Sequence, residues 1–340
     1  MHVLAAPDKF RGSANAADVA DAMAAAARAL GHTAEALPLA DGGEGTLEAL
    51  GGATERSIVS GPNGRPCEAP WRLVDGVAVI EMARVSGLAL LPTGTNDPMN
   101  ATTSGTGQLI QEAFDRGAHR VVLTLGGSAT TDGGVGAVRE VSSIPDDAEL
   151  LVVCDVDTTF RNAARDFGPQ KGASHAQIAV LTERLDAAAA NYLGRFGVDV
   201  SIVPGAGAAG GLAGGMLALG GTLVRGFDYI ADALGLDAAL GRADFVLTGE
   251  GMMDALSFHG KVVGGLTARA RAQNVRLGAV VGDVDPGFSA PIPTHTLVAE
   301  VGRDQAFLNT LPAVRQATTH LMLKLEAVKD GKLQPWWPAS

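Results

Sequence analysis

The chain has 340 residues, 46% of them hydrophobic and 19% charged, with a formal net charge of -11. That length suits two domains better than one. The acidic balance excludes a broad cationic footprint for nucleic acid or an anionic membrane surface. No apolar run approaches the ~18–20 residues of a membrane helix, and the N-terminus reads as a strand rather than a signal peptide. Cys67 and Cys154 lack ligand spacing, which fits two structural thiols in a reduced, cytoplasmic protein.

In chain order, His2 to Pro7 is predicted as a strand and Asn15 to Leu30 as an alanine-rich helix, capped by Asn15 or Ser13 and closed by Gly31. Ala34 to Ala40 reads as a strand, and Thr46 to Leu50 as a helix start. Residues 61–82 have a hairpin pattern with alternating Trp71, Leu73, Val77 and Val79. Val121 to Leu125, Leu150 to Cys154 and Val198 to Val203 read as short strands. The βα rhythm returns with a strand at Phe245 to Thr248, a helix at Val262 to Gln273 and a strand at Leu277 to Val281. His295 to Val298 adds another candidate strand, before a closing helix from Gln305 to Val328 and a tail, residues 334–340, carrying Trp336 and Trp337. The expected fold is α/β in two domains. Residues 1–60 and 240–333 would form a Rossmann-like parallel-sheet domain from both chain ends, and 61–239 an inserted second α/β domain.

Glycine and lysine carry the functional signal. There are 45 glycines, about twice ordinary usage, and they cluster. Only six of the 26 basic residues are lysines; Lys9, Lys171 and Lys261 each sit in or beside a glycine-rich segment, where a mobile point charge suits phosphate. Lys324, Lys329 and Lys332 lie near the C-terminus on a polar helix and tail.

Six segments carry candidate chemistry. In Ala6-Pro7-Asp8-Lys9-Phe10-Arg11-Gly12-Ser13, backbone amides with Lys9 and Arg11 would make an anion site, or simply a capped turn. In Asp41-Gly42-Gly43-Glu44-Gly45-Thr46, Asp41 could act as general base toward an alcohol; turn chemistry is the alternative. Thr102 to Gly107 offers the hydroxyls of Thr103, Ser104 and Thr106 to phosphate or carboxylate oxygens, or caps the following helix. The run Gly126-Gly127-Ser128-Ala129-Thr130-Thr131-Asp132-Gly133-Gly134 is a phosphate-cradle candidate, with Asp132 a base or Mg²⁺ ligand. In Phe167 to Ala173, Lys171 could reach a phosphoryl group; the acidic strand end holding Asp155 and Asp157 could hold metal. In Thr248 to Asp254, Glu250 and Asp254 are spaced to share one Mg²⁺, with Lys261 complementing nucleotide phosphates and His259 a loop residue.

A competing pattern is Gly205-Ala206-Gly207-Ala208-Ala209-Gly210, a formal GxGxxG with Asp228 downstream, which would suggest an NAD(P)-dependent dehydrogenase. It sits late in the chain, its glycines continue through Gly215, Thr222 to Gly226 is a feeble second strand, and no hydride-transfer set accompanies it. No Walker A sequence is present.

Taken in order, APDKFRGS, LADGGEGT, NDPMNATTSGTGQLI, LGGSATTDGG, CDVD, FGPQKGA, PGAGAAGG and TGEGMMDALSFHGK resemble the type 1 glycerate kinase family across nearly the whole chain. The resemblance implies ATP- and Mg²⁺-dependent phosphorylation of D-glycerate, with the 2-phospho product favoured over the 3-phospho product. It implies a cleft between the two domains as the active site. The implied partners are glycerate and ATP, with no nucleic acid or membrane and with a homodimer allowed. Under this reading Asp41, Asp132, Lys9 and Lys171 are catalytic candidates. Asp8, Arg11, Ser13, Glu44, Thr103, Ser104, Thr106, Gly126, Gly127, Ser128, Gly207 and Lys261 would bind substrate or phosphate, and Asp155, Glu250 and Asp254 metal. The rivals are a kinase of another small hydroxy acid and a non-catalytic metabolite-binding member. Members commonly carry a basic residue where Met252 stands. Lysine is common where Arg11 stands and asparagine where Thr131 stands, and members usually have a longer link than Val135 to Glu149 and a Gly-Ala segment where Asn162 to Arg165 lies.

Overall fold

A computed structural model describes residues 1–329. The tail expected at 334–340, with Trp336 and Trp337, and Lys332 lie outside the described residues. The described chain divides into two compact units, Met1–Asp41 with residues 227–329, and Gly42–Gly226. The junctions expected at residues 60 and 239 therefore move. Glu55–Ser60 pairs antiparallel with Pro66–Val74 in the second unit, whereas Phe227 and Ala231 pack against Leu4 and Val246 of the first.

The first unit holds a five-stranded sheet in the order Thr294–Thr296, Arg276–Val281, Phe245–Thr248, His2–Ala5, Thr33–Ala36, parallel throughout. Side chains alternate across a strand, and the core follows that rule. Val3, Ala5, Leu247 and Val280 join helices Ala16–Ala29 and Thr310–Lys329 on one face. Leu4, Ala6 and Val246 join helices Gly226–Ala233, Leu236–Leu240 and Val262–Ala272 on the other. Helices on both faces explain why the inner strands His2–Ala5, Phe245–Thr248 and Arg276–Val281 read as mostly apolar runs. Asn15 caps the first helix, its Oδ1 accepting from the Asp18 amide at 2.8 Å, and Gly31 follows the C-terminus with φ +84°.

The second unit has a six-stranded mixed sheet: Glu55–Ser60, Pro66–Val74, Val77–Glu81, Arg120–Thr124, Glu149–Cys154, Thr222–Arg225. Its first three strands are antiparallel, and the last four run parallel. The expected hairpin turns at Asp75-Gly76, both with positive φ. One continuous core of Trp71, Ile80, Leu109, Val121, Phe160 and Tyr192, among others, holds it together.

Two expected elements differ most, and one element is new. Val198–Val203 is not a strand: the place beside Glu149–Cys154 is taken by Thr222–Arg225, the segment that reads as feeble. The closing helix is two helices, Arg303–Leu308 and Thr310–Lys329, broken at Asn309; Pro312 in the first turn of the second favours a fresh start. The 22-residue helix His175–Phe196, with a Ser174–Gln177 capping box, is an addition to the expected elements. No helix among the described residues is long and apolar enough to cross a membrane. Cys67 and Cys154 are free thiols, and burial pushes Cys154 up to about 11.

Candidate functional site

Parallel strands deliver their carboxyl ends to one edge of a sheet, where such folds bind ligands. In the first unit that edge gathers Asp8 after His2–Ala5, Asp41 after Thr33–Ala36 and Glu250 after Phe245–Thr248. The Asp8 amide donates to the Gly249 carbonyl at 2.9 Å, which ties the first and last glycine motifs of this unit together. Asp8 is buried; its Oδ1 accepts from the Lys9 amide at 2.7 Å and lies 3.7 Å from Lys9 Nζ. Burial pushes its carboxyl up to about 6, with Lys9 pulling it down and Asp41 adding to the rise. Glu250 goes further, to about 7. Burial is again the main cause; Asp8 and Asp254 raise it too, against the opposing pull of Ser257 and Lys261. Its Oε1 is buried without a hydrogen-bond partner. An unpartnered buried carboxylate oxygen is costly, and here it shares its surroundings with other carboxylates.

The remaining expected residues of this unit take different parts. Asp254 caps the short helix Ala255–Phe258, its Oδ1 accepting from the Ser257 amide at 3.1 Å. Lys261 stands at the N-terminus of Val262–Ala272, and its charge reaches both Asp8 and Glu250. Arg11 and Ser13 are exposed, and the Ser13 hydroxyl donates to the Phe10 carbonyl. His259 Nδ1 stands 2.7 Å from the Ala255 carbonyl oxygen, a local contact that suits a loop residue. Met252 is 48% exposed.

The second unit gathers the other motifs. Gly127, with φ +62°, has no room for a side chain: a Cβ would stand 2.3 Å from Glu44 Oε1. The Gly43–Thr46 turn thus lies directly on the Gly126–Gly127 turn. Beneath it the buried Glu81 accepts from the amides of Gly45 and Leu47, each at 3.2 Å, and pairs with Arg84 at 3.3 Å. Ser128 is buried beside Gly87.

Asp132 is fully engaged. Its Oδ2 accepts from the Thr103 amide at 2.9 Å, the Thr103 hydroxyl at 2.8 Å and the Gly136 amide at 3.2 Å, and its Oδ1 from the Gly134 amide at 3.1 Å. Thr103 Oγ1 in turn accepts from the Ala137 amide. Thr106 shares a 2.8 Å hydrogen bond with Ser86 in the interior. The hydroxyls of Thr103 and Thr106 are therefore committed to the protein, while Ser104 opens the helix Ser104–Asp115 half-buried. Lys171 is 3% exposed, its Nζ donating to the Thr130 carbonyl at 2.6 Å. Burial drops its ammonium to about 7, and Asp132 resists that fall.

The GxGxxG lookalike does not follow a strand. Its glycines are contact glycines: a Cβ on Gly207 would meet the Thr159 carbonyl at 2.4 Å, and one on Gly210 the Thr130 carbonyl at 2.0 Å. Gly210 presses the segment against the Thr130–Asp132 turn and leaves no βαβ unit of the dinucleotide kind. The three expected metal ligands are divided, with Asp155 in the second unit and Glu250 and Asp254 in the first. Sequence reasoning missed two residues. Glu81 ends an apolar strand, which is a signal it could have used. Asn96 gives none, yet its Nδ2 donates to the carbonyls of both Ala129 (3.0 Å) and Lys171 (2.9 Å).

Known proteins are similar to this chain in sequence and fold. The sequence matches the glycerate kinase family over residues 3–144 and 139–329. It is 38% identical to glycerate 2-kinase of Escherichia coli (strain K12) over 304 residues, 77% of this chain and 80% of that one. It is 35% identical to glycerate kinase of Bacillus subtilis (strain 168) over 332 residues, 85% of this chain and 87% of that one. A crystal structure of a Salmonella typhimurium LT2 protein, provisionally described as glycerate kinase 2, superposes with a TM-score of 0.80 at 32% identity, covering 97% of this chain and 99% of the other. Fold, turns and relatives together define an α/β phosphotransferase. The resemblance read from the eight motifs holds, and the chain belongs to the glycerate kinase family.

Proposed function

We propose that this protein transfers the γ-phosphoryl group of ATP to a hydroxyl of D-glycerate with the help of Mg²⁺, giving 2-phosphoglycerate in preference to the 3-phospho isomer. The carrying observation is the crowding of Asp8 and Glu250 beside Lys261, with one Glu250 oxygen buried and unpartnered. Such a group fits a hard cation, which takes carboxylate and phosphate oxygens. Glu250 and Asp8 would hold Mg²⁺, whose chemistry is to neutralise charge on the transferring phosphates. Asp254 would position Glu250 from its capping role.

The chain's own residues supply the rest. Lys9 and Lys261, both half-buried, would meet phosphate and substrate carboxylate charge. Asp41 would orient the acceptor hydroxyl and take its proton. Asp132 and Lys171 would act as positioning residues, holding the Gly126–Gly134 turn so that its amides can face phosphate oxygens. That the carboxylates of one unit and the turns of the other serve one reaction, in the Rossmann-like and inserted domains of the family, is part of the proposal. Its test is ADP release over a panel of D-glycerate, L-glycerate, glycolate and lactate. D-Glycerate is expected to give by far the highest kcat/KM, and loss of the signal on chelation of Mg²⁺ is expected with it. Preference for another acid would replace the substrate; no ADP release with any acid, despite ATP binding, would indicate a binding protein instead.

A further inference from the structure

Three side chains that this reaction does not use meet at the edge strand of the first unit's sheet. His295 lies on Thr294–Thr296, Glu300 on helix Leu297–Val301 and His320 on helix Thr310–Lys329. His295 Nε2 stands 2.7 Å, and His320 Nδ1 2.8 Å, from the same oxygen, Glu300 Oε2. The other oxygen, Oε1, accepts from Gln316 Nε2 at 2.6 Å, which fixes the carboxylate plane. The two rings are 6.2 Å apart and inclined at 88°, so their nitrogens approach one point from different directions.

We propose that His295, Glu300 and His320 form a binding site for a borderline divalent transition metal of the zinc class. The possible ligand atoms all lie within 4.8 Å of one another. Two imidazoles and a carboxylate are a donor set suited to zinc, leaving a fourth position for water. Metal–ligand bonds of about 2.0–2.2 Å in a tetrahedron separate ligand atoms by roughly 3.3–3.5 Å. Each nitrogen therefore has to draw back from Glu300 Oε2 by about 0.5–0.8 Å, and each imidazole moves its N–H to the opposite ring nitrogen. Gln316 is the outer partner that such sites use to orient a ligand. Access differs in a useful way: the side chains of Glu300 and His295 are 7% and 14% exposed, whereas His320 is 47% exposed. The first two form a fixed floor, and the third is an open side through which the ion enters. Other imidazole–carboxylate contacts, His2–Glu35 and His32–Glu326, bring only two ligand groups each.

The site makes no use of the proposed phosphoryl transfer and can be tested apart from it. The full chain, stripped with a chelator and held in excess Mg²⁺, is titrated with Co²⁺ and followed by visible d–d absorption. One Co²⁺ per chain, displaced by Zn²⁺, is expected. His320→Ala is expected to weaken binding at least 100-fold and Gln316→Ala about tenfold, with ADP release unchanged in both. His320→Asn keeps a polar group at the half-exposed position, should the alanine variant misfold. No d–d band in the wild type, or an undiminished band in a folded His320 variant, overturns the proposal and leaves the three residues as a hydrogen-bonded cluster alone.

Discussion

Glu250 and Asp132 are both carboxylates at the ends of parallel strands in glycine-rich turns, yet the two units treat them in opposite ways. Asp132 receives four hydrogen bonds from amides and a hydroxyl. Glu250 keeps one buried oxygen unpartnered, with Asp8 and Asp254 adding to its burdens. A carboxylate satisfied from every side has done its work once the backbone is in place. One left short among like charges raises the energy of the folded chain, and such strain marks a place that a cation or substrate can relieve. Under the proposed function, the same motif chemistry divides into scaffold and site by its hydrogen-bond partners.

The largest effect is expected at Glu250. Glu250→Gln is expected to lower kcat/KM for D-glycerate by at least about 100-fold, read by ADP release. The same variant should be more stable than the parent above pH 7. The sign follows from linkage: a raised carboxyl pKa means the folded state favours the proton, so its contribution is full below the unfolded value of 4.5 and lost as pH rises through about 7. Urea unfolding should show a gain on the order of 1–3 kcal/mol at pH 8 that vanishes near pH 4. A loss of stability at pH 8 would mean that Glu250 is already compensated.

Asp132→Ala should do the reverse. Four donors lose their acceptor, the Thr103 hydroxyl and three amides, and the expected cost is about 2–4 kcal/mol with no gain at any pH. Activity should fall because the turn is no longer held. A stable Asp132→Ala protein that has lost only turnover would instead make Asp132 a catalytic residue.

The smallest effect is expected at Asn96, which joins the Ala129 and Lys171 carbonyls. Asn96→Ala should cost about 1–2 kcal/mol and raise KM more than it lowers kcat, since it loosens the turn without touching the carboxylates. Equal losses in kcat and kcat/KM would place Asn96 closer to the chemistry than this geometry does.

Much of the fold is legible in the chain itself. The apolar runs at His2–Ala5 and Phe245–Thr248, each followed by glycine and acid, announce parallel strands. The order of the motifs identifies the family. Long-range competition is not legible. Val198 to Val203 has the β-branched look of a strand, but a strand needs a free neighbour, and Thr222–Arg225 holds that place. Local pattern also does not separate Thr103 and Thr106, which turn inward, from Ser104 beside them. Nor does it show that the glycines from Gly207 to Gly210 exist to admit carbonyl oxygens rather than a dinucleotide. Asn96 is remote in sequence from both of its partners, so no local pattern marks it.

The sheet of the first unit also sets an order on synthesis. His2–Ala5 finds Thr33–Ala36 at once, but its other neighbour, Phe245–Thr248, leaves the ribosome only after residues 42–226 have been made. At ~5–20 residues per second that is a wait of roughly 10–40 s. The second unit has its whole sheet and core within that stretch and can fold during it. Until then Val3 to Ala5 lacks its second neighbour, and an unpaired strand edge is a template for pairing with other chains.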